Sequence, residues 1–175
     1  MTNAPHGFRP LMRSITGGPG AAAFGAHKLV GYGTALFIGD AVTRVASGTK
    51  KTPAISAAIT PGTTPMFGVN LVWGAASTAT DHLVIPGNFQ VFETQSNGTP
   101  VAADLNKNAN IALGAGSATL KISGHVEDHA SVQTTNTLDL HIVGIWNAPD
   151  NDFGQYAKLE VIFNRNQLTD QVAGI

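Results

Sequence analysis

Cysteine is absent from this chain, which excludes disulfides and thiolate metal sites. The fold must be held by packing, strand pairing or subunit contacts. Charge is scarce as well. Only 12% of the 175 residues are Asp, Glu, Lys or Arg, and the formal net charge is −1, where soluble domains usually carry about 25% charged residues. So weak a field cannot steer an anionic polymer, which argues against an extended basic face for nucleic acid. Interfaces are depleted in charge at their centres, so the shortage is also what an assembling surface would show. No run approaches about 18 apolar residues, the length that a membrane-spanning helix needs. The N-terminus, Met1 to Pro10, has no basic stretch followed by an apolar run and does not read as a secretory signal. No window of twelve or so residues has convincing helical periodicity, and no fixed-period repeat is visible.

What is present is the vocabulary of strands and turns. The chain has 20 glycines and 9 prolines, and 43% of it is hydrophobic, much of that alanine. Its length suffices for one good-sized domain, and a domain of roughly 150 residues buries about 70% of the surface its unfolded chain exposes. Short β-rich runs alternate with turn residues. They cover residues 29–38, 41–46, 53–60, 66–73, 82–85 and 89–95, and later 118–124, 138–146 and 158–163. Such spacing predicts a sandwich or barrel. Leu159, Val161 and Phe163 share one face of a strand, as do Ala118, Leu120 and Ile122, because side chains alternate with period two. Asn97-Gly98 tolerates positive φ at both central positions and predicts a tight hairpin. Pro100 just beyond it moves the returning strand to an edge or delays its start.

The first 26 residues have a different character. Pro5, Gly7 and Pro10, then Gly17-Gly18-Pro19-Gly20, break helix and strand alike. Phe8, Leu11, Met12, Ile15 and Phe24 are nonetheless large apolar groups in need of a dry place. The expected organisation is an extended N-terminal arm, residues 1–26, and an all-β body, residues 27–175. The body is an antiparallel β-barrel or a jelly-roll-like sandwich. The expected anchors of the arm on a neighbour are Phe8, Arg9, Leu11, Met12, Ile15 and Phe24.

Patterns that carry catalysis or metal binding are incomplete. His125 and His129 have the spacing of the two histidines of a helical zinc motif. Val126 stands where that motif has Glu, no third ligand is nominated, and the segment reads as the end of a strand. Ser123, His125 and Asp128 are the right residue types for a nucleophile, a base and an orienting acid, but a triad is spatial and no Gly-x-Ser-x-Gly elbow occurs. Gly20 to Lys28 lacks the Lys-Ser/Thr pair of a phosphate loop. Gly114-Ala115-Gly116-Ser117 reads as a turn. Glu93, Glu127 and Glu160 are the only glutamates, and their spacing pairs none of them for glycoside chemistry. Asp150-Asn151-Asp152 reads as a turn after Pro149. Asn97-Gly98-Thr99 is formally a glycosylation triplet. No catalytic residue, metal ligand or cofactor is expected, and the chain reads as a non-enzyme.

In their order along the chain, Gly7-Phe8-Arg9-Pro10, Phe92-Glu93-Thr94-Gln95, Gly114-Ala115-Gly116-Ser117, Pro149-Asp150-Asn151 with Gly154, and the closing stretch from Val161 to Asn164 resemble the head decoration, or cement, proteins of tailed bacteriophages. The resemblance implies a small β-barrel or jelly roll bound as an oligomer to the outer surface of the virion capsid. It implies the major capsid protein and further copies of the chain as partners, a homotrimer ahead of a homodimer. Neither direct nucleic-acid binding nor a membrane partner is expected. The alternatives are a tail, neck or receptor-binding β-domain and, behind these, a hydrolase on a β-sandwich.

Overall fold

The computed structural model describes residues 1–14, 24–28, 34–45 and 54–168, with the backbone alone for residues 14 and 24–28. Among these residues the regular elements are eleven strands and one short 3₁₀ turn, Ala102–Asp104. The strands are β1 (Arg9–Ser14), β2 (Phe24–Lys28), β3 (Ala41–Val45), β4 (Ala54–Ser56), β5 (Gly68–Asn70), β6 (Thr80–Pro86), β7 (Gln90–Gln95), β8 (Asn108–Ala112), β9 (Val126–Gln133), β10 (Leu140–Ile145) and β11 (Lys158–Phe163). No helix among the described residues is long and apolar enough to cross a membrane. The all-β class is what the sequence predicts.

Two sheets share the strands. The larger has the order β1-β7-β11-β10-β8-β9, and the smaller closes on itself as β2-β4-β3-β5-β6. Pairing is antiparallel throughout the larger sheet. The smaller ring has one parallel contact, His27 opposite Ala54, where β2 meets β4. Closing a sheet removes its edges. The larger sheet comes close to the same solution: Ser96, just past β7, bridges Glu127 of β9, and the Asn97 N–H donates to the Glu127 carbonyl at 3.0 Å. The sheet therefore curls until its far strand touches the end of β7, and β1 is left as an outer edge.

Two apolar cores result, and strand alternation explains why they belong to one body. Phe8, Met66, Phe92, Leu140, Leu159 and Phe163 are among the residues that fill the larger core. Leu36, Val42, Ile55, Phe67 and Val84 form the smaller. Ala41 and Val69, cross-strand neighbours on β3 and β5, face the larger core, whereas Val42 on β3 faces the smaller. Successive side chains on a strand point to opposite faces, so β3 and β5 form a wall common to both. In the larger core the Phe8 ring meets Phe163 edge-on at 5.4 Å, and Phe92 stacks on Phe163 at 5.2 Å. Such pairs add about 0.5–1.5 kcal/mol beyond the area they bury.

The structure departs from the expected elements in three places. Residues 9–14 form β1, paired with β7, and residue 26, the expected end of the arm, falls inside β2. The run 118–124 is a turn, not a strand. The Ser117 and Ile122 backbones meet in a bridge, Lys121 has φ of 61°, and Leu120 is 66% exposed. Its alternation reflects composition, with no sheet to receive it. Asn97-Gly98 does not turn a hairpin: neither residue has positive φ, and β7 pairs with β1 and β11. The chain leaves β7 to touch β9 instead. The run 29–38 lies partly outside the described residues, and within 34–38 only Leu36 and Ile38 make isolated bridges.

Candidate functional site

The densest group of charged side chains lies on the outer face of the larger sheet, across β1, β7 and β11. Phe92 and Val161 are paired across β7 and β11 and point into the core, so Glu93 and Glu160, the next pair, share the opposite face. Like charges directly opposite each other destabilise a sheet. Cations offset them here. His6 Nε2 lies 3.2 Å and Lys158 Nζ 4.0 Å from Glu93 Oε1. Arg13 pairs with Glu160, reaching past β7 from β1. Arg9 stands opposite Glu93 in the β1–β7 register. Burial pushes the Glu93 carboxyl up, but His6, Arg9 and Lys158 more than offset this and hold it below the usual carboxylate range.

The N-terminal segment lies on this face. The Ala4 N–H donates to Gln95 Oε1 at 3.0 Å, and the Gln95 amide donates to the Thr2 carbonyl at 3.0 Å and the Tyr156 carbonyl at 3.2 Å. Beside it is a hollow of about 330 Å³ bounded by Met1, Asp150, Tyr156 and Lys158, among others. Gly7 then turns the chain inward at φ +74°. A Cβ there would lie 2.5 Å from the Gly39 carbonyl oxygen and from the Ser123 Cβ. This is the physical content of Gly7-Phe8-Arg9-Pro10: a crowded left-handed turn, a core anchor, a charge for the outer face and the entry to an edge strand.

β1 is irregular between Pro10 and Ser14. The Gln90 side-chain amide fills the gap in the ladder, donating to the carbonyls of Leu11 (2.5 Å) and Arg13 (3.2 Å). Those carbonyls therefore face β7. Met12 is 98% exposed and borders a second hollow, about 390 Å³, with Pro10, Leu11, Arg13 and Trp146. Proline is tolerated on an edge strand because the edge needs no donor there.

The six expected interface residues thus separate. Phe8 is 1% exposed and belongs to this chain's own core. Arg9 is exposed beside Glu93, Leu11 is half-buried, and Met12 is almost wholly exposed. Phe24 opens β2 with its backbone opposite Val84, and its side chain is outside the described residues, as is the whole of Ile15. His6, Glu93, Glu160 and Trp146 were not foreseen in the group. Only strand register brings the two glutamates together, and no local spacing encodes it.

The other constellations do not assemble. His125 Nε2 lies 3.6 Å from Asp40 Oδ1, and its Nδ1 accepts the Ala41 N–H at 3.3 Å. Burial lowers its pKa, and Asp40 only partly opposes this. The acid beside His125 is therefore Asp40, while Asp128 accepts from the Asn97 amide. Ser123 Oγ accepts the His125 N–H at 3.0 Å and is itself buried. With both ring nitrogens engaged elsewhere, this is a bracing contact and not a nucleophile–base pair. His129 packs against Gly98, four residues along an extended strand from His125. Among the described residues no three His, Cys, Asp or Glu side chains gather as a metal would require. Asn151 closes the β10–β11 connection as a turn residue should: its amide donates to the Trp146 and Lys158 carbonyls, and its oxygen accepts the Lys158 N–H.

Comparison with protein-family models, with curated proteins and with solved structures finds no match to this chain.

Proposed function

We propose that this chain is a structural component of a tailed-phage virion that decorates the outer surface of the capsid and bridges major capsid protein subunits. The observation that carries the reading is the β1 edge: a strand at the rim of the larger sheet, with Met12 98% exposed beside a hollow bordered by Leu11 and Trp146. An open strand edge is a template for an added strand, and native proteins seldom leave one unguarded beside apolar side chains. The ordered motifs that resemble the cement proteins, and the low charge, point the same way. A decoration protein works by contact area. It touches two subunits at once, so parting them also breaks its own contacts, and many copies act together. Packing within the chain restricts which residues can serve. Phe8 is committed to the core, so Leu11, Met12 and Trp146 are left to meet the partner. The body acts as a homotrimer on three-fold positions, with a homodimer on two-fold positions as the alternative.

The test is co-sedimentation of the purified chain with undecorated phage heads. The wild-type chain pellets with the heads, and Met12→Asp stays in the supernatant while keeping its fold. Equal sedimentation of both would remove the β1 edge from the interface. Failure of the wild type to bind any head, with binding to purified tails, would replace the capsid by the tail.

A further inference from the structure

Glu127 lies near the start of β9, and neither the core nor the charged outer face uses it. Its side chain is 0% exposed. Neither carboxyl oxygen has a partner in good hydrogen-bonding geometry, and the neighbouring Ser96 side chain, which favours the charged form, does not outweigh the burial. The charged and titratable groups around it do not help. Asp104, from the 3₁₀ turn, and Asp128, next along β9, both oppose a negative charge at Glu127. Asp104 is itself paired with Lys107 at 3.3 Å. His129 follows two residues on, against Gly98. β8, paired with β9 at Ile111–Glu127, carries no titratable side chain, and on its other side Asp139 accepts the Ile111 N–H. An isolated carboxylate is very costly to bury, whereas a neutral carboxyl costs far less. The same residue also makes the joint that curls the larger sheet: its backbone bridges Ser96, and its carbonyl accepts the Asn97 N–H at 3.0 Å.

We infer that Glu127 is a proton-operated joint: the folded chain carries it as the neutral acid, and loss of that proton parts the end of β7 from β9 and uncurls the larger sheet. Burial, with Asp128 and Asp104 adding to it and Ser96 opposing it, raises the carboxyl to about 7. The joint is therefore closed in mild acid and strained in mild base. The inference stands apart from the capsid reading, and purified protein suffices to test it.

The chain has three glutamates, Glu93, Glu127 and Glu160, so side-chain ¹³C labelling of glutamate gives three carboxyl signals, assigned with Glu93→Gln and Glu160→Gln. One signal titrates near neutrality and disappears in Glu127→Gln. Over the same pH range the Asn97 amide of the wild type exchanges faster than base catalysis alone accounts for, and that of Glu127→Gln does not. Glu127→Gln melts close to the wild type at pH 5 and roughly 5 °C or more above it at pH 8.5. Three carboxyls that all titrate in the ordinary range would overturn the inference. So would a near-neutral titration with no change in exchange at Asn97, since the proton would then be uncoupled from the joint. If Glu127→Gln does not fold, the wild-type titration and exchange decide alone.

Discussion

Glu93 on β7 and Glu127 on β9 are both buried glutamates of the larger sheet, and their surroundings treat them in opposite ways. Glu93 is 6% exposed and ringed by His6, Arg9 and Lys158, and its carboxyl is held low. Glu127 is 0% exposed with acidic neighbours, and its carboxyl is raised to about 7. Burial pushes both upward, and the sign of the nearest charges decides the outcome. The N-terminal seam is thus built on a Glu93 carboxylate that its neighbours keep ionised, while the β7–β9 joint depends on a proton that mild base removes.

The largest expected effect tests whether the seam is part of the fold at all. Phe8→Ala removes a ring buried against Phe92 and Phe163 and lowers stability by about 3–5 kcal/mol, measured by denaturant unfolding. A loss below about 1 kcal/mol would mean that the N-terminal segment does not belong to the body.

Next comes the joint. The folded pKa of Glu127, about 7, exceeds the ordinary value of 4.5, so the stability this group allows is fully present below about 4.5 and is lost as pH rises through 7. Glu127→Gln removes that loss and stabilises the chain by up to about 3 kcal/mol at pH 8.5, with little change at pH 5. Unfolding free energies of the two proteins across this range read the difference directly.

The seam has the opposite sign. Glu93 is depressed, so its contribution is present above the ordinary value of 4.5 and is lost as pH falls through the folded pKa. His6→Ala costs roughly 1–2 kcal/mol at neutral pH, because Arg9 and Lys158 remain to face the carboxylate. It also moves the Glu93 titration upward, which carboxyl NMR detects. No movement would show that His6 does not set the charge of Glu93. The smallest expected effect on stability is that of Met12→Asp, within about 0.5 kcal/mol because the side chain is exposed, although capsid binding is lost.

The strands that could be read from the sequence are those with strong local character. The run 89–95 carries Val91, Phe92 and Thr94, residues that favour strands, and 158–163 alternates cleanly; both are strands close to the expected bounds. β9 was not readable as an eight-residue strand. Val126–Gln133 is polar, and its burial does not alternate, because its pairing with β8 shifts register between Asn108 and Asn110. β8 was hidden in Asn108–Ala112, where two asparagines stand in a strand of five residues. Asn108 is buried there because its amide donates to the Thr135 carbonyl and its oxygen meets His141 Nδ1. The chain only bends at Asn97-Gly98; a hairpin also requires that the next strand return to the same neighbour, and the contact with Glu127 is made instead. Of the candidate site, the apolar residues of the first segment were visible. Their division between core and surface was not, since it depends on which way Gly7 directs the chain.

By itself the sequence determined the class of structure: no cross-links, few charges, and short apolar runs divided by glycine and proline leave strands paired by their backbones as the available architecture. It also determined that the first segment carries more apolar surface than a solvated tail would keep. Only the tertiary structure decided that Phe8 goes inward and Met12 outward, that Glu93 meets Glu160, and that Glu127 is sealed without a cation. The reason is that backbone propensity and period act over a few neighbouring residues, whereas register and curl bring together groups far apart in the chain, and the charge state of a buried side chain follows from that company.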